Sequence, residues 1–323
     1  MASTAFPSPQ RPEAASWHDA GLRYYSQSFF LDKKFGRRIW KVSLDAGCTC
    51  PNRDGTLGTA GCIFCDPESF SPSRRLRLGS ITAQLEEGIR RVGQRHAATG
   101  FVAYFQPATN TYGPLAQLRR LYEEALGHPQ VVGLAIGTRP DCAGDAVLDT
   151  LAELAGRTWV TLELGLQTIH DRTLDWLGRG HHADAFLDAC RRSRQRGLSV
   201  GVHVILGLPG ESREDMAATA GQVARLGVTS VKLHQLYAVR GTRLAEMVAA
   251  GTVRLPGREE YVRYVADFLE VLPPGCVIDR LSGDVPRRYL VGPEWSLDKA
   301  AIRRAVETEL IRRGSWQGSR GEG

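Results

Sequence analysis

The sequence predicts an α/β fold, a partial (β/α)6 barrel left open on one side. Three observations carry that prediction. Short apolar runs of strand length alternate with amphipathic helical stretches along most of the chain. The runs are nearly continuous in Val, Ile and Leu, the pattern of parallel strands covered on both faces, and alternation with helices marks βαβ units. The stretches just after the runs are rich in polar residues and glycine, as expected where function gathers at strand C-terminal ends. Six units are too few to close an eight-stranded barrel and suit an open one.

In chain order, residues 1–20 are rich in Pro, Ser and Ala and are expected to form a disordered tail. Residues 24–38 are an aromatic and basic lead-in. The first strand is predicted over 39–44, followed by a glycine- and cysteine-rich loop. A helix is predicted over 80–96, with Ser80 as N-cap and Ile81, Leu85, Ile89 and Val92 at helical spacing. Further strands are predicted over 101–106, 131–138, 159–166, 199–206 and 228–236. Helices fill 114–126, 143–155, 183–196, 211–226, 243–250 and 259–272. The organisation that results is the tail, a barrel core over 21–272, and a C-terminal extension over 273–323 that packs on the core and frays at its end.

With 323 residues, 42% hydrophobic and 24% charged, the composition is that of an ordinary globular protein. No apolar run reaches membrane-spanning length, and the N-terminus lacks the pattern of a secretory signal. Seven cysteines, four of them in one loop, argue against a disulfide scaffold and for a reducing, cytoplasmic setting. Cys142, Cys190 and Cys276 read as small buried apolar residues. A net charge of +6 favours an anionic partner.

The loop over 48–65 holds Cys48, Cys50, Cys62 and Cys65 among Pro51, Gly55, Gly58 and Gly61. Turn residues at that density exclude a helix and let the backbone wrap closely around a bound object. Soft sulfur ligands select zinc or iron–sulfur clusters. Two ligand sets fit: all four cysteines closing a tetrahedral zinc site, or Cys50, Cys62 and Cys65 holding a four-iron cluster with one iron open. The loop follows the first strand, on the functional rim of the barrel, where a structural zinc has no reason to sit. That position favours the open cluster.

The other strand ends are polar as well. They read Gln106-Pro107-Ala108-Thr109-Asn110, Gly137-Thr138-Arg139-Pro140-Asp141, Glu163 to Thr168, Gly207 to Ser212, and Lys232-Leu233-His234-Gln235-Leu236-Tyr237. A lone buried polar residue is usually a satisfied core group. Polar groups at five successive strand ends would together line one mouth. Gly207 to Ser212 also serves as a turn and helix cap.

On these stretches, together with Arg179-Gly180-His181, His203, Leu272-Pro273-Pro274 and Arg280-Leu281-Ser282-Gly283-Asp284, the chain resembles the radical S-adenosylmethionine (SAM) enzymes. More narrowly it is similar to the YhcC/YtqA type, related to the catalytic subunit of Elongator. The resemblance covers 24–313 and implies a TIM-like partial barrel of the radical SAM type. It implies a [4Fe-4S] cluster on Cys50, Cys62 and Cys65 and S-adenosyl-L-methionine bound at the open iron. Reductive cleavage then yields a 5′-deoxyadenosyl radical that takes hydrogen from substrate. By motif position, Gln106, Gln167, Arg179 and His203 are the expected SAM-binding residues. Arg179 suits a carboxylate, and His203, replacing an acidic residue of some relatives, suits a ribose. Three departures stand out: a long gap from Cys50 to Cys62, Gly137 where Elongator relatives carry Glu, and Cys48 where a bulky apolar residue is usual. Cys48 is expected to be a bystander.

The resemblance also implies a tRNA substrate, with wobble uridine as the target, and an electron donor of the flavodoxin or ferredoxin type. Arg303, Arg304, Arg312 and Arg313 suit phosphate contacts. The chain leaves no room for the acetyltransferase domain of the Elongator subunit, so acetyl-CoA chemistry is not expected. The competing readings are a zinc-stabilised RNA-binding protein without catalysis, and a radical SAM enzyme acting on a protein or small metabolite.

Overall fold

The computed structural model describes residues 15–76, 79–283 and 285–321. Its strands are β1 (Ile39–Leu44), β2 (Gly100–Phe105), β3 (Val131–Thr138), β4 (Trp159–Gln167), β5 (Ser199–Leu206), β6 (Ser230–Gln235), β7 (Ala238–Val239), β8 (Val277–Arg280) and β9 (Leu290–Gly292). Seven of these build one parallel sheet in the order β1-β2-β3-β4-β5-β6-β8, curled into a half-barrel. The remaining two, β7 and β9, form a short antiparallel ribbon.

The six strands expected from the sequence are present, and a seventh joins them from beyond residue 272. That strand, Val277-Ile278-Asp279-Arg280, carries two charged residues in four, so its apolar signal is too short to register. It pairs with β6 through Ser230 opposite Val277 and Lys232 opposite Arg280. The sheet thus continues into the C-terminal segment.

Successive side chains on a strand face opposite ways, and here the two faces differ in kind. The outer face carries Leu44, Phe101, Phe105, Leu134, Ile136, Leu162, Leu164, Val200 and Val202, packed under the crossover helices in the main apolar core. Packing there is close: a Cβ on Gly88, in the helix Ile81–His96, would stand 2.3 Å from Val42 Cγ1. That helix starts as expected, with Ser80 Oγ accepting from Ala83 N at 3.1 Å.

The inner face carries Lys41, Tyr104, Glu163, His203 and Lys232, brought level by a register that sets Glu163 beside Gly201 and His203 beside Lys232. Its lower end is plugged by the helix Gln27–Phe35, whose Leu31, Phe30 and Phe35 pack on Ile39, Val102, Tyr104 and Trp159. The same helix touches β1 and β8, the two outermost strands of the sheet.

Residues 1–14 of the expected tail lie outside the described residues. From residue 15 the chain is ordered structure: Ala15–Asp19 is a helix, and Trp17 is buried with its Nε1 donating to Pro274 O at 2.9 Å. Tyr25 O accepts from Ile278 N at 2.7 Å, so this segment lies along the free edge of β8. Among the described residues no helix is long and apolar enough to cross a membrane.

The C-terminal helix, Lys299–Arg312, carries three of the four arginines read as phosphate contacts, with Arg313 as its C-cap. Arg312 forms a two-pronged pair with Glu309, and Arg313 is shared among Glu309, Asp267 and Glu270. These guanidinium groups are committed to carboxylates of the chain itself. Arg303 lies 3.9 Å from Glu307.

Candidate active site

The upper ends of β1 to β6 and β8 enclose one cavity. It is lined by Cys50, Cys62 and Cys65 from the loop after β1, and by Gln106, Gln167, Arg179 and His203. All seven residues singled out by the sequence therefore face a common space. Cys48 does not line it. That residue packs against the outer core, its carbonyl accepts from Arg74, and burial with Asp45 beside it pushes its thiol up to about 11. By contrast, the Cys65 thiol, pushed up to about 12 by burial, has Cys62 and Cys50 as close neighbours. Thr49 and Cys50 line the cavity and Cys48 does not, so the chain enters the site between residues 48 and 49, just before the turn at Pro51. Cys190 and Cys276 are buried as expected, and Cys142 is partly so.

Two hydrogen-bonding residues stitch the cysteine loop to the turn after β4. Asn52 Nδ2 donates to Gly178 O at 2.8 Å and Arg179 O at 3.0 Å, and lies 3.6 Å from Cys62 Sγ. Arg179 Nη1 donates to Cys62 Sγ at 3.3 Å while its Nη2 donates to Gly165 O at 2.9 Å. The flanking glycines are needed. Gly180 has φ +66°, and a Cβ there would lie 2.6 Å from Asn52 Oδ1. Gly165 is bare for a similar reason, since a Cβ would meet Gln167 Nε2 at 2.9 Å and Arg179 Nη2 at 3.1 Å.

Beneath the cysteines lies a buried charge cluster. Glu163 receives Lys41 Nζ at 2.7 Å, Lys232 Nζ on its other oxygen, and His203 Nε2 at 2.7 Å. Lys41 also reaches Asp279 at 3.1 Å, and Lys232 donates to Tyr104 Oη at 2.9 Å. Burial opposes the charge on Glu163, but Lys232 and Lys41 outweigh it and hold the carboxyl well below the usual range. Burial pulls Lys232 down to about 8 even with Glu163 against it. His203 is drawn down to about 4, by burial first and then by Lys232. The neutral ring must give its one proton to the ionised carboxylate, so Nε2 carries the hydrogen and Nδ1 keeps a free lone pair.

The cavity wall also holds polar atoms with no partner. Among the described residues, Thr109 Oγ1, Arg139 Nη1, Gln167 Oε1, Arg179 Nε, Gln235 Nε2 and Arg280 Nε are buried, unbonded and on this lining. Buried polar groups are rarely left unpaired, so this concentration marks a site made for a polar ligand. Gln167 adds backbone strain: its φ is +74°, at an irregularity between β4 and β5. Gln106 is less exclusive, since its Nε2 donates to Phe70 O at 3.3 Å.

Sequence reasoning set Arg139 and Gln235 among the polar strand ends lining the mouth without an individual role, and gave none to Asn52 or Arg280. Arg139 is 3% exposed and paired to Asp141 at 2.7 Å, with a third nitrogen left over. Its position in Gly137-Thr138-Arg139, at a strand end, was the available signal. Asn52 sits among turn residues and reads there as an ordinary turn former.

The sequence matches the Radical SAM superfamily over residues 50–223 and the Radical_SAM C-terminal domain over 228–312. It is 38% identical to the uncharacterized protein YtqA of Bacillus subtilis, over 92% of each chain. It is 38% identical to the protein YhcC of Escherichia coli, over 82% of this chain and 85% of that one. A tRNA uridine(34) acetyltransferase of Methanocaldococcus jannaschii is 29% identical over 50% of this chain, which spans 30% of that relative. In structure it is similar to the archaeal Methanocaldococcus infernus Elp3, with a TM-score of 0.66 at 19% identity, covering 86% of this chain and 64% of that one. The last likeness concerns the fold, a radical SAM partial barrel. With both halves of the sequence matched and its cysteines gathered on the barrel mouth, the chain belongs to the radical SAM superfamily, in the family of YtqA and YhcC.

Proposed function

We propose that this protein is a radical SAM enzyme that modifies tRNA, with a wobble uridine as its target. The observation that carries the reading is the partition of the cysteine loop: three thiols face one cavity with unpartnered polar atoms, and the fourth faces the core. Three soft donors fit a cluster that keeps one metal position open, and they do not fit a closed four-cysteine zinc site. When bound, a four-iron cluster with S-adenosylmethionine supplies one-electron cleavage of a carbon–sulfur bond and the hydrogen abstraction that follows.

The chain's own residues then have separate tasks. Cys50, Cys62 and Cys65 would hold the cluster. Asn52 and Arg179 direct N–H groups at the Cys62 sulfur, a contact that tunes a cluster's potential. Gln106, Gln167, Arg179 and His203 would hold S-adenosylmethionine. For Gln167 and Arg179 the support is an unpartnered buried atom on each. For His203 it is Nδ1, which can accept from a ribose hydroxyl as a carboxylate would. Phe64, Phe70, Ile205 and Leu236 supply apolar lining that excludes water. A flavodoxin or ferredoxin type donor would deliver the electron.

The tRNA half rests on two supports. One is the relative whose name specifies tRNA uridine(34). The other is a basic rim: Arg240 N bonds Tyr289 O across the β7–β9 ribbon, which sets exposed Arg240 near Arg287, Arg288 and Tyr289. The ribbon begins one residue after Tyr237, a cavity residue, so the rim stands at the mouth. Arginines beside an aromatic ring suit single-stranded RNA.

The experiment is anaerobic purification with iron and sulfide analysis, then release of 5′-deoxyadenosine with and without tRNA. Bound iron and sulfide with tRNA-stimulated release support the proposal. Zinc without iron sinks it entirely, and release that ignores tRNA sinks the substrate assignment.

A further inference from the structure

Two stretches of the cavity wall are not used by the cysteines or by the residues assigned to S-adenosylmethionine: His234-Gln235 at the end of β6, and Arg280 at the end of β8. Their hydrogen-bonding capacity can be read atom by atom. Gln235 is 1% exposed, and its Oε1 accepts from Gly283 N at 2.8 Å. A backbone N–H can only donate, so the amide orientation is fixed, and Nε2 is left buried and unpartnered on a residue that lines the cavity. His234 Nδ1 lies 3.3 Å from the carbonyl of Gln235, which can only accept. Nδ1 therefore carries the ring proton, and Nε2 offers a lone pair. Burial first, then Arg280, holds this ring far below the ordinary histidine range, so it stays neutral. Arg280 makes no side-chain hydrogen bond or ion pair among the described residues, and its Nε is buried and unpartnered.

The wall thus presents a donor amide, an acceptor imidazole and a donor guanidinium. Resting on the tRNA reading above, we propose that His234, Gln235 and Arg280 form the substrate subsite and read the imide edge of an unstacked uracil. That edge is an N–H between two carbonyls, the complement of two donors and one acceptor. Cytosine, with an unprotonated ring nitrogen beside an amino group, presents a pattern that this wall opposes. Tyr237, tilted against His234 with ring centroids 6.3 Å apart, adds an aromatic surface next to the subsite.

The test uses the full-length holoprotein and fluorescence anisotropy with a stem-loop RNA carrying one loop uridine. Companion RNAs carry 3-methyluridine, cytidine or an abasic site at that position. Expected is about a tenfold or greater preference for uridine over 3-methyluridine and cytidine, the size of a good base-edge contact. Arg280→Met and Gln235→Glu erase that preference while leaving residual binding to all four RNAs. Glutamate at 235 keeps an acceptor for Gly283 and replaces the donor amide with a charged acceptor oxygen, so its melting temperature is measured alongside as the folding control. Variants that keep the wild-type preference overturn the subsite. A loss of affinity that is equally large on the abasic RNA also overturns it, by pointing to a phosphate ligand. Absence of RNA binding by the wild type removes the tRNA reading together with the subsite.

Discussion

The outer and inner faces of this sheet are made from the same strands and obey opposite rules. Outside, Phe105, Leu162 and Leu164 sit fully buried among other apolar side chains, and stability there is a matter of filled volume. Inside, one residue away along the same strands, Tyr104 and Glu163 join a buried network of charge and hydrogen bonds. Stability there depends on each charge keeping its partner. A parallel half-barrel needs only one face for its core, which frees the other for chemistry.

The largest contrast concerns the cysteines, which divide between the faces. Cys62→Ser or Cys65→Ser is expected to abolish cluster binding after anaerobic reconstitution, whereas Cys48→Ser retains it, as read by iron content and visible absorption. Loss of iron in the Cys48 variant with retention in a Cys50 variant would reverse the assignment of faces.

Next comes stability. Glu163→Gln leaves Lys41 and Lys232 without their shared carboxylate and is expected to cost about 3–5 kcal/mol in denaturant unfolding. On the outer face, Leu162→Met should cost less than about 1.5 kcal/mol, because volume is conserved and no charge is involved. Equal costs at the two neighbouring positions would erase the distinction.

A pH titration sharpens it further. His203 is held at about 4 in the folded chain, below its unfolded value of about 6.5. The unfolded chain therefore binds the extra proton first, and stability is expected to fall as pH drops from about 6.5 to 4. His203→Gln should reduce that slope by its own share, the remainder belonging to His181 and His234, which burial also holds low. The Glu163 contribution is lost only lower, as pH falls below about 4.3 toward its depressed folded value. A wild-type slope unchanged in the His203 variant would assign the titration elsewhere.

The smallest effect belongs to the rim. Arg240→Ala should weaken RNA binding modestly and lower the slope of log affinity against log salt by about 1, with uridine discrimination intact.

How much of this was legible in the sequence follows the same division. The outer face announces itself, because apolar runs and helical spacing are composed of the very residues that pack there. The cavity's membership was legible in two ways: Gln106 and Gln167 stand at strand ends, while Arg179, set between two glycines, and His203 were reached by motif position in the resembled family. Pairing across the barrel was not legible. Nothing local to Glu163 says that Lys41 and Lys232, far away in the chain, neutralise it, and only register brings them together. The strand Val277–Arg280 was missed because the inner face does not demand apolar residues, so its charges hid it. Likewise nothing local to Arg313 says that Asp267 and Glu270, a helix away, pair with it.

Gln317 is fully buried, accepts from Tyr25 N at 2.9 Å across 292 positions, and donates to the carbonyls of Pro273 and Cys276. Gln317 therefore ties the segment around Tyr25, which lies along the border of β8, to the carbonyls that precede that strand. Positions far apart in the chain share one seal, and losing either side of it opens an unpaired strand border to a neighbouring molecule.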